Sequence, residues 1–159
     1  MNAPLVSLCL TCFNQKRWIG AALEAALAQT YRPLEVVISD DASTDGTDGE
    51  IRRILSRGAP AEVKVVFNRN GSNLGNFGNW EKLVSLAGGD LIVKADGDDI
   101  SLPDRVTRIV TTWLAGGGRA AAVSHAAEMI DAGGSVSEVA RAVGLSRPTV
   151  YKAVKGPGR

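Results

Sequence analysis

The residues best equipped for chemistry stand together at 91–99, Leu-Ile-Val-Lys-Ala-Asp-Gly-Asp-Asp. A short apolar run ends in three carboxylates. Leu91, Ile92 and Val93 predict a buried strand, because aliphatic and β-branched residues fit a sheet covered on both faces. Asp96, Asp98 and Asp99 then fall at its carboxyl end, where open α/β sheets place their ligand crevices. On an extended backbone Asp96 and Asp98, two residues apart, point to one side. Carboxylates that close repel unless a cation sits between them. Oxygen-only ligands suit a hard divalent ion, Mg²⁺ or Mn²⁺, which in turn holds phosphate oxygens. The competing reading is a surface turn, since Asp and Gly are common turn residues.

The elements that must position these acids follow from hydrophobic periodicity. Residues 5–10 predict a buried strand with a loop, Thr11-Cys-Phe-Asn14, at its carboxyl end. Trp18, Ala22, Leu23, Ala26 and Leu27 recur at helical spacing and predict a helix over 16–29 that Pro33 terminates. A second strand over 34–39 also ends in acids, Asp40-Asp41-Ala-Ser-Thr-Asp45. Thr47 or Asp48 is the expected cap of a helix over 48–57, and 63–67 predict a third strand. The stretch 68–79 is rich in Asn and Gly, which permits close backbone approach to a ligand or simple flexibility. Trp80 to Leu86 predict a helix, and 91–94 the fourth strand. Pro103 opens a helix with Val106, Ile109, Val110, Trp113 and Leu114 inward. Strict strand–helix alternation implies an α/β fold, a mostly parallel sheet flanked by helices, with two acidic clusters along one edge.

Composition places the chain among ordinary globular proteins: 159 residues, 45% apolar and 22% charged. No apolar run approaches the roughly 18 residues that span a bilayer, and the start lacks the basic segment of a secretory signal. The expectation is a cytoplasmic protein, with peripheral association at the inner face of a membrane left open. Cys9 and Cys12 form a C-x-x-C on a predicted strand, where residues three apart face opposite ways, so two buried apolar thiols are expected and not a redox pair. Residues 1–118 carry net charge −2 and residues 119–159 net +3.

Five ordered blocks carry a family resemblance. They are Val6-Ser-Leu-Cys-Leu-Thr-Cys-Phe-Asn14, Leu27-Ala-Gln-Thr-Tyr31, Leu34 through Thr47, Asn73-Leu-Gly75, and Ala95-Asp-Gly-Asp-Asp99 followed by Pro103-Asp-Arg105. Together they resemble the family 2 glycosyltransferases. The resemblance implies the GT-A fold, a Rossmann-like nucleotide-sugar-binding sheet, here over 1–134. It places Thr11 and Phe13 beside the nucleoside, with Phe13 standing where the family usually has Tyr. It makes Asp41 an acceptor for the base edge. Asn14, Asn73 and Asn79 would lie near the ribose and diphosphate. Asp96-Gly-Asp98 matches the DxD motif, Asp98 binding Mn²⁺ or Mg²⁺ and Asp96 the ribose or the metal. The implied partners are a nucleoside diphosphate sugar, foremost a UDP-sugar, and a glycan or lipid-linked acceptor. The implied reaction is inverting transfer to a hydroxyl.

The pattern departs from the family after Asp99. The expected general base belongs to an acceptor-binding half that this chain is too short to hold, so the fold is expected to be incomplete on its C-terminal side. Residues 135–154 instead resemble the helix-turn-helix of serine recombinases. Ala140, Gly144 and Val150 fall at that motif's spacings, and Ser146 would cap a recognition helix carrying Arg147, Thr149, Tyr151 and Lys152. The segment 135–159 is thus expected as a short helical basic tail, and DNA is the partner under this alternative. Val123, Ala126, Ala127 and Ile130 fit a helix in that reading and a strand in the transferase reading.

Overall fold

A computed structural model describes residues 3–118, 122–126 and 146–151. The element order is β1 (Val6–Cys12), α1 (Lys16–Leu27), β2 (Leu34–Asp40), α2 (Thr47–Leu55), β3 (Val63–Arg69), α3 (Gly75–Leu86), β4 (Leu91–Asp96), α4 (Arg105–Ala115), β5 (Ala122–Ala126) and β6 (Ser146–Tyr151). The sheet order is β3-β2-β1-β4-β6-β5. The first four of these are parallel, in the α/β architecture that alternation predicts.

β1 is the centre strand of the parallel part, and all seven of its residues are buried. It pairs with β2 from Val6↔Leu34 to Cys12↔Asp40, and with β4 from Val6↔Leu91 to Thr11↔Asp96. Partners on both sides keep Thr11 in the strand and β2 alone keeps Cys12, so β1 runs two residues beyond the predicted end. The larger core lies on the face covered by α1, α2 and α4, with Leu8, Leu10, Ile19, Leu23, Ile51, Val106 and Ile109 interlocked. The other face is covered by α3, where Leu83 packs on Cys9, Val37 and Ile92. One crossover on the opposite face is what right-handed connections demand when the chain passes from β3 back over β2 and β1 to β4.

Several local expectations are corrected. Trp18 is 44% exposed, with Arg17 stacked over its ring, and Ile19 takes the core position instead. Leu114 is 48% exposed, because the inward stripe of α4 ends at Trp113. Neither Thr47 nor Asp48 caps α2. Gly46 holds that position at φ +90°, and Asp45 accepts from the Thr47 amide at 3.0 Å. Asp45 also accepts from Lys16 N at 3.0 Å, so one carboxylate serves two helix starts. The Asn/Gly loop is shorter than expected, because α3 begins at Gly75, whose φ of +74° suits glycine.

Residues 122–126 form a strand, as the transferase reading expects. Ser146–Tyr151 is also a strand, antiparallel to both β4 and β5, where the helix-turn-helix reading expects a recognition helix. Ala140, Gly144 and Lys152 lie outside the described residues. Among the described residues no helix is long and apolar enough to cross a membrane.

Candidate functional site

The sheet reverses its order between β1 and β4. The chain builds outward from β1 to β2 and β3, then returns to place β4 on the other flank. At such a switch point the loops leaving neighbouring strands diverge and open a crevice at their carboxyl ends. Here β1 lies between the two loops that leave β2 and β4. Cys12 O accepts from Asp41 N at 2.9 Å on one side, and Thr11 O accepts from Gly97 N at 2.8 Å on the other. The tips carrying Asp41 and Asp98 are thus held on the same sheet edge, two strand spacings or roughly 10 Å apart.

Thr11 is buried on β1, and its hydroxyl donates to Asp96 Oδ1 at 2.9 Å. Phe13, in the loop that follows β1, is 46% exposed. Asn14 adopts φ +52° and clamps the β1–α1 turn to the next loop: its backbone N–H donates to Ser43 Oγ at 2.9 Å and its side-chain Oδ1 accepts from Thr44 N at 2.9 Å. Asn73 is exposed, its Oδ1 accepting from Gly75 N at 2.8 Å at the start of α3.

The two acidic residues that end β2 have different surroundings. Asp40 is buried and neutralised by Arg69, whose Nε lies 3.2 Å from its Oδ2, and it also accepts from Ser43 Oγ. It is a packing acid. Asp41 is 2% exposed and faces the α3 loop; its Oδ1 accepts from Asn70 Nδ2 and from Leu74 N, both at 2.8 Å. Asn79 is not brought to the crevice. It is buried, donates to Ser39 O at 3.1 Å and accepts from Ser39 Oγ at 2.6 Å, so its amide serves the protein interior.

At β4 the acids divide likewise. Asp96 is half-buried and ion-paired with Lys94, whose ammonium reaches both of its oxygens. Asp98 and Asp99 are exposed, and the Asp99 amide donates to Asp96 O at 3.0 Å, closing a tight turn. Arg105 braces the turn from α4, donating to Lys94 O at 2.7 Å and Ser101 Oγ at 2.8 Å. Burial pushes its guanidinium below its ordinary pKa, while Asp99 and Asp96 act in the other direction. Arg105 is therefore a brace as well as a helix start.

The donor set fits a hard divalent cation only in part. Asp98 offers exposed carboxylate oxygens, the right chemistry for Mg²⁺ or Mn²⁺. Asp96 already has an ammonium as its counter-ion. Among the described residues no group of three or more His, Cys, Asp or Glu side chains could hold a metal. A cation at Asp98 would need further oxygens from a ligand, as a diphosphate provides.

Three contributors escaped the sequence reading. Lys94 was visible as the one charge in an apolar strand. Asn70 had no signal that set it apart from its neighbouring asparagines. Gln15, whose Oε1 is buried beside Gly97 without a hydrogen-bond partner among the described residues, had none either.

The fold agrees with comparisons to known proteins. The family model Glycosyl transferase family 2 matches residues 7–134, and a model described as Homeodomain-like domain matches 118–156. The putative glycosyltransferase EpsE of Bacillus subtilis (strain 168) is 32% identical over 109 residues, covering 69% of this chain and 38% of that protein. The Escherichia coli protein WfaP, a UDP-Glc:alpha-D-GlcNAc-diphosphoundecaprenol beta-1,3-glucosyltransferase, is 31% identical over 103 residues, covering 65% of this chain and 39% of its own length. The chain thus spans little more than a third of these curated relatives. Among solved structures, the mannosyltransferase PcManGT from Pyrobaculum calidifontis, in complex with GDP-Man and Mn²⁺, superposes with a TM-score of 0.65 at 24% identity, covering 71% of this chain and 33% of that one. TarS of S. aureus in complex with UDP-GlcNAc gives 0.58 at 19% identity, covering 69% and 31%. A parallel sheet with acids at its switch point, inside a family match that takes in most of the sequence, leads to one assignment: this chain belongs to glycosyl transferase family 2.

Proposed function

We propose that the chain binds a nucleoside diphosphate sugar together with a divalent cation, as the donor-binding part of an inverting glycosyltransferase. The observation that carries this reading is the pair of acidic tips, Asp41 and Asp96 to Asp98, on either side of Thr11 at the switch point. Asp41 accepts from the base edge, Phe13 stacks on the nucleoside, and Asn14 and Asn73 border the ribose and diphosphate. Asp98 would hold Mn²⁺ or Mg²⁺. Asp96, already shared by Lys94 and Thr11, would bind the ribose or help to hold the metal. Asn79 is left out of the ligand set because its amide is spent inside the protein.

When bound, the cation would stabilise the charge that builds on the departing diphosphate. A family-type transfer proceeds by attack of an acceptor hydroxyl, with a general base taking its proton. No residue here is assigned that role, so donor binding is the activity proposed for this chain. A UDP-sugar is the preferred donor, and a glycan or lipid-linked hydroxyl the acceptor. UDP-GlcNAc in TarS and GDP-Man in PcManGT support a nucleotide sugar as the donor class. Calorimetry with UDP, GDP and Mn²⁺ tests the reading. Wild type binds one of the nucleotides, and Asp98→Ala weakens binding about tenfold or more in Mn²⁺ while changing it little in EDTA. Equal affinities in Mn²⁺ would defeat the metal assignment, and no binding of either nucleotide would defeat the whole reading.

A second reading has its own support, the Homeodomain-like match over 118–156 together with the net +3 charge of residues 119–159. Under it the tail contacts DNA. The strand at Ser146–Tyr151 weighs against it. Gel-shift of the full chain across a salt series decides, because phosphate contacts make affinity fall steeply with salt. No salt-sensitive shift would remove it.

A further inference from the structure

Beneath Asp41 lies a connected set of amides. Asn70 uses all of its side-chain polar atoms there. Its Nδ2 donates to Asp41 Oδ1 at 2.8 Å and to Asn79 Oδ1 at 3.0 Å, and its Oδ1 accepts from Asn68 Nδ2 at 2.8 Å. Asn68 Nδ2 also donates to Ser39 Oγ at 3.0 Å, and Asn79 Nδ2 donates to Ser39 O at 3.1 Å. The backbone amide of Asn70 donates to Asp40 O at 2.8 Å, so the residue is fixed at both ends. Asn70, Asn79, Ser39 and Asp41 are all buried.

The orientation of each amide follows from this connectivity. Asn79 must present Oδ1 to Asn70, since its Nδ2 faces a backbone carbonyl. Asn70 must then present Nδ2 to both Asn79 and Asp41, because reversing it would set two acceptors against each other. Asp41 Oδ1 receives a second bond from Leu74 N, which leads into α3. The two donors hold one carboxylate oxygen from different sides and so set the plane of the carboxylate.

We propose that Asn70 is a positioning residue that fixes Asp41 for a nucleobase edge. This rests on the reading of Asp41 as the base acceptor. A carboxylate only accepts, so the base must present N–H donors, as an imide or amide edge does. A freely turning carboxylate would lose rotational freedom on binding such an edge. One held by Asn70 and Leu74 has lost it on folding. Asn68, Asn79 and Ser39 act one step further back, by fixing Asn70.

The test titrates the 159-residue chain with Mn²⁺ and either UDP or GDP, whichever wild type binds more tightly, and separately with Mn²⁺ and pyrophosphate. Asp41→Asn, Asn70→Ala and the isosteric Asn70→Asp are compared, with thermal midpoints recorded. Removing a hydrogen bond to a charged group predicts nucleotide affinity about tenfold lower in Asn70→Ala. Asn70→Asp, which sets an acceptor against Asp41, loses more. Pyrophosphate affinity stays unchanged in both, because the diphosphate end does not depend on Asp41. A parallel fall in nucleotide and pyrophosphate binding, or a loss of folding in both variants, would mean a structural role and overturn the proposal. Unchanged nucleotide binding in both Asn70 variants, with Asp41→Asn impaired, would overturn it while leaving the base-acceptor reading intact. Unchanged binding in Asp41→Asn would remove that reading and this one with it.

Discussion

Gly97 has no room for a side chain. A β-carbon there would meet Cys12 Cβ at 2.8 Å and Ile19 Cδ1 at 3.0 Å, and would collide with Gln15 Oε1. The glycine between the two acids is what lets β4's tip lie flat against β1 and donate to Thr11 O. Gly97→Ala therefore costs about 1–3 kcal/mol of stability, as overpacking does, and displaces the turn bearing Asp98. Urea denaturation measures the first effect, and, under the donor-binding reading proposed above, weaker nucleotide binding in Mn²⁺ measures the second. At this scale the motif was readable as residue types and spacing, but not who neutralises whom. Nothing in Asp-Gly-Asp distinguishes an Asp96 paired with Lys94 from an Asp98 left exposed, because that division depends on which side chains the strand's neighbours bring close. Asn79 illustrates the same gap. It belongs to a polar loop by composition and to the interior by position.

Among the elements, β1 shows how a strand's two faces decide the fate of its residues. Cys9 sits in the core beneath α3, and Cys12 in the core beneath α1. Burial pushes both thiols far up from their ordinary pKa, with Glu35 adding to the effect at Cys9 and Asp40 at Cys12. Both are free and buried. A thiol reagent should leave the native protein unmodified and label two cysteines once urea unfolds it, and diamide should form no internal disulfide. Native-state labelling at either position would contradict the strand assignment. The period-two rule anticipates this outcome only once β1 is carried through Cys12, two residues past its predicted end. Helix starts were less legible. Asp45 serves both α1 and α2, and its carboxyl is held below its ordinary value because bonds from Thr47 and from the Lys16 amide outweigh the opposing effect of burial. Local capping rules look only along one helix, so a cap supplied from another loop escapes them.

Across the whole molecule, Glu35 ties the end of the sheet opposite the crevice. It is fully buried on β2. It accepts from Ser7 Oγ of β1 at 2.5 Å, from Gly88 N at 2.5 Å and from Lys64 Nζ of β3 at 3.0 Å. Burial alone would raise its pKa, but these donors prevail and hold it below the ordinary glutamate value of 4.5. A depressed folded pKa contributes stability that is fully present above the ordinary value and is lost as pH falls through the folded one. Denaturant unfolding at a series of pH values should show this acid limb, and Glu35→Gln should flatten it. At neutral pH the same variant should lose about 2–3 kcal/mol, since Lys64 and the Gly88 amide lose a charged partner. An unchanged acid limb in Glu35→Gln would show that other carboxylates carry it.

The sequence alone determined the alternation of strands and helices, the carboxyl edge that holds the acids, and the family, because periodicity and ordered motifs are properties of the chain read in one dimension. Tertiary structure decided the rest. It placed β4 beside β1 and so made the switch point, buried Asn79 and Asp40 while leaving Asp98 exposed, and joined Asn70 to Asp41 across 29 positions of sequence. It also set Ser146–Tyr151 on the sheet as a strand, where the local pattern favoured a helix. Burial and hydrogen-bond partnership arise from neighbours that are distant in sequence, and they appear only when the sheet has closed around its centre strand.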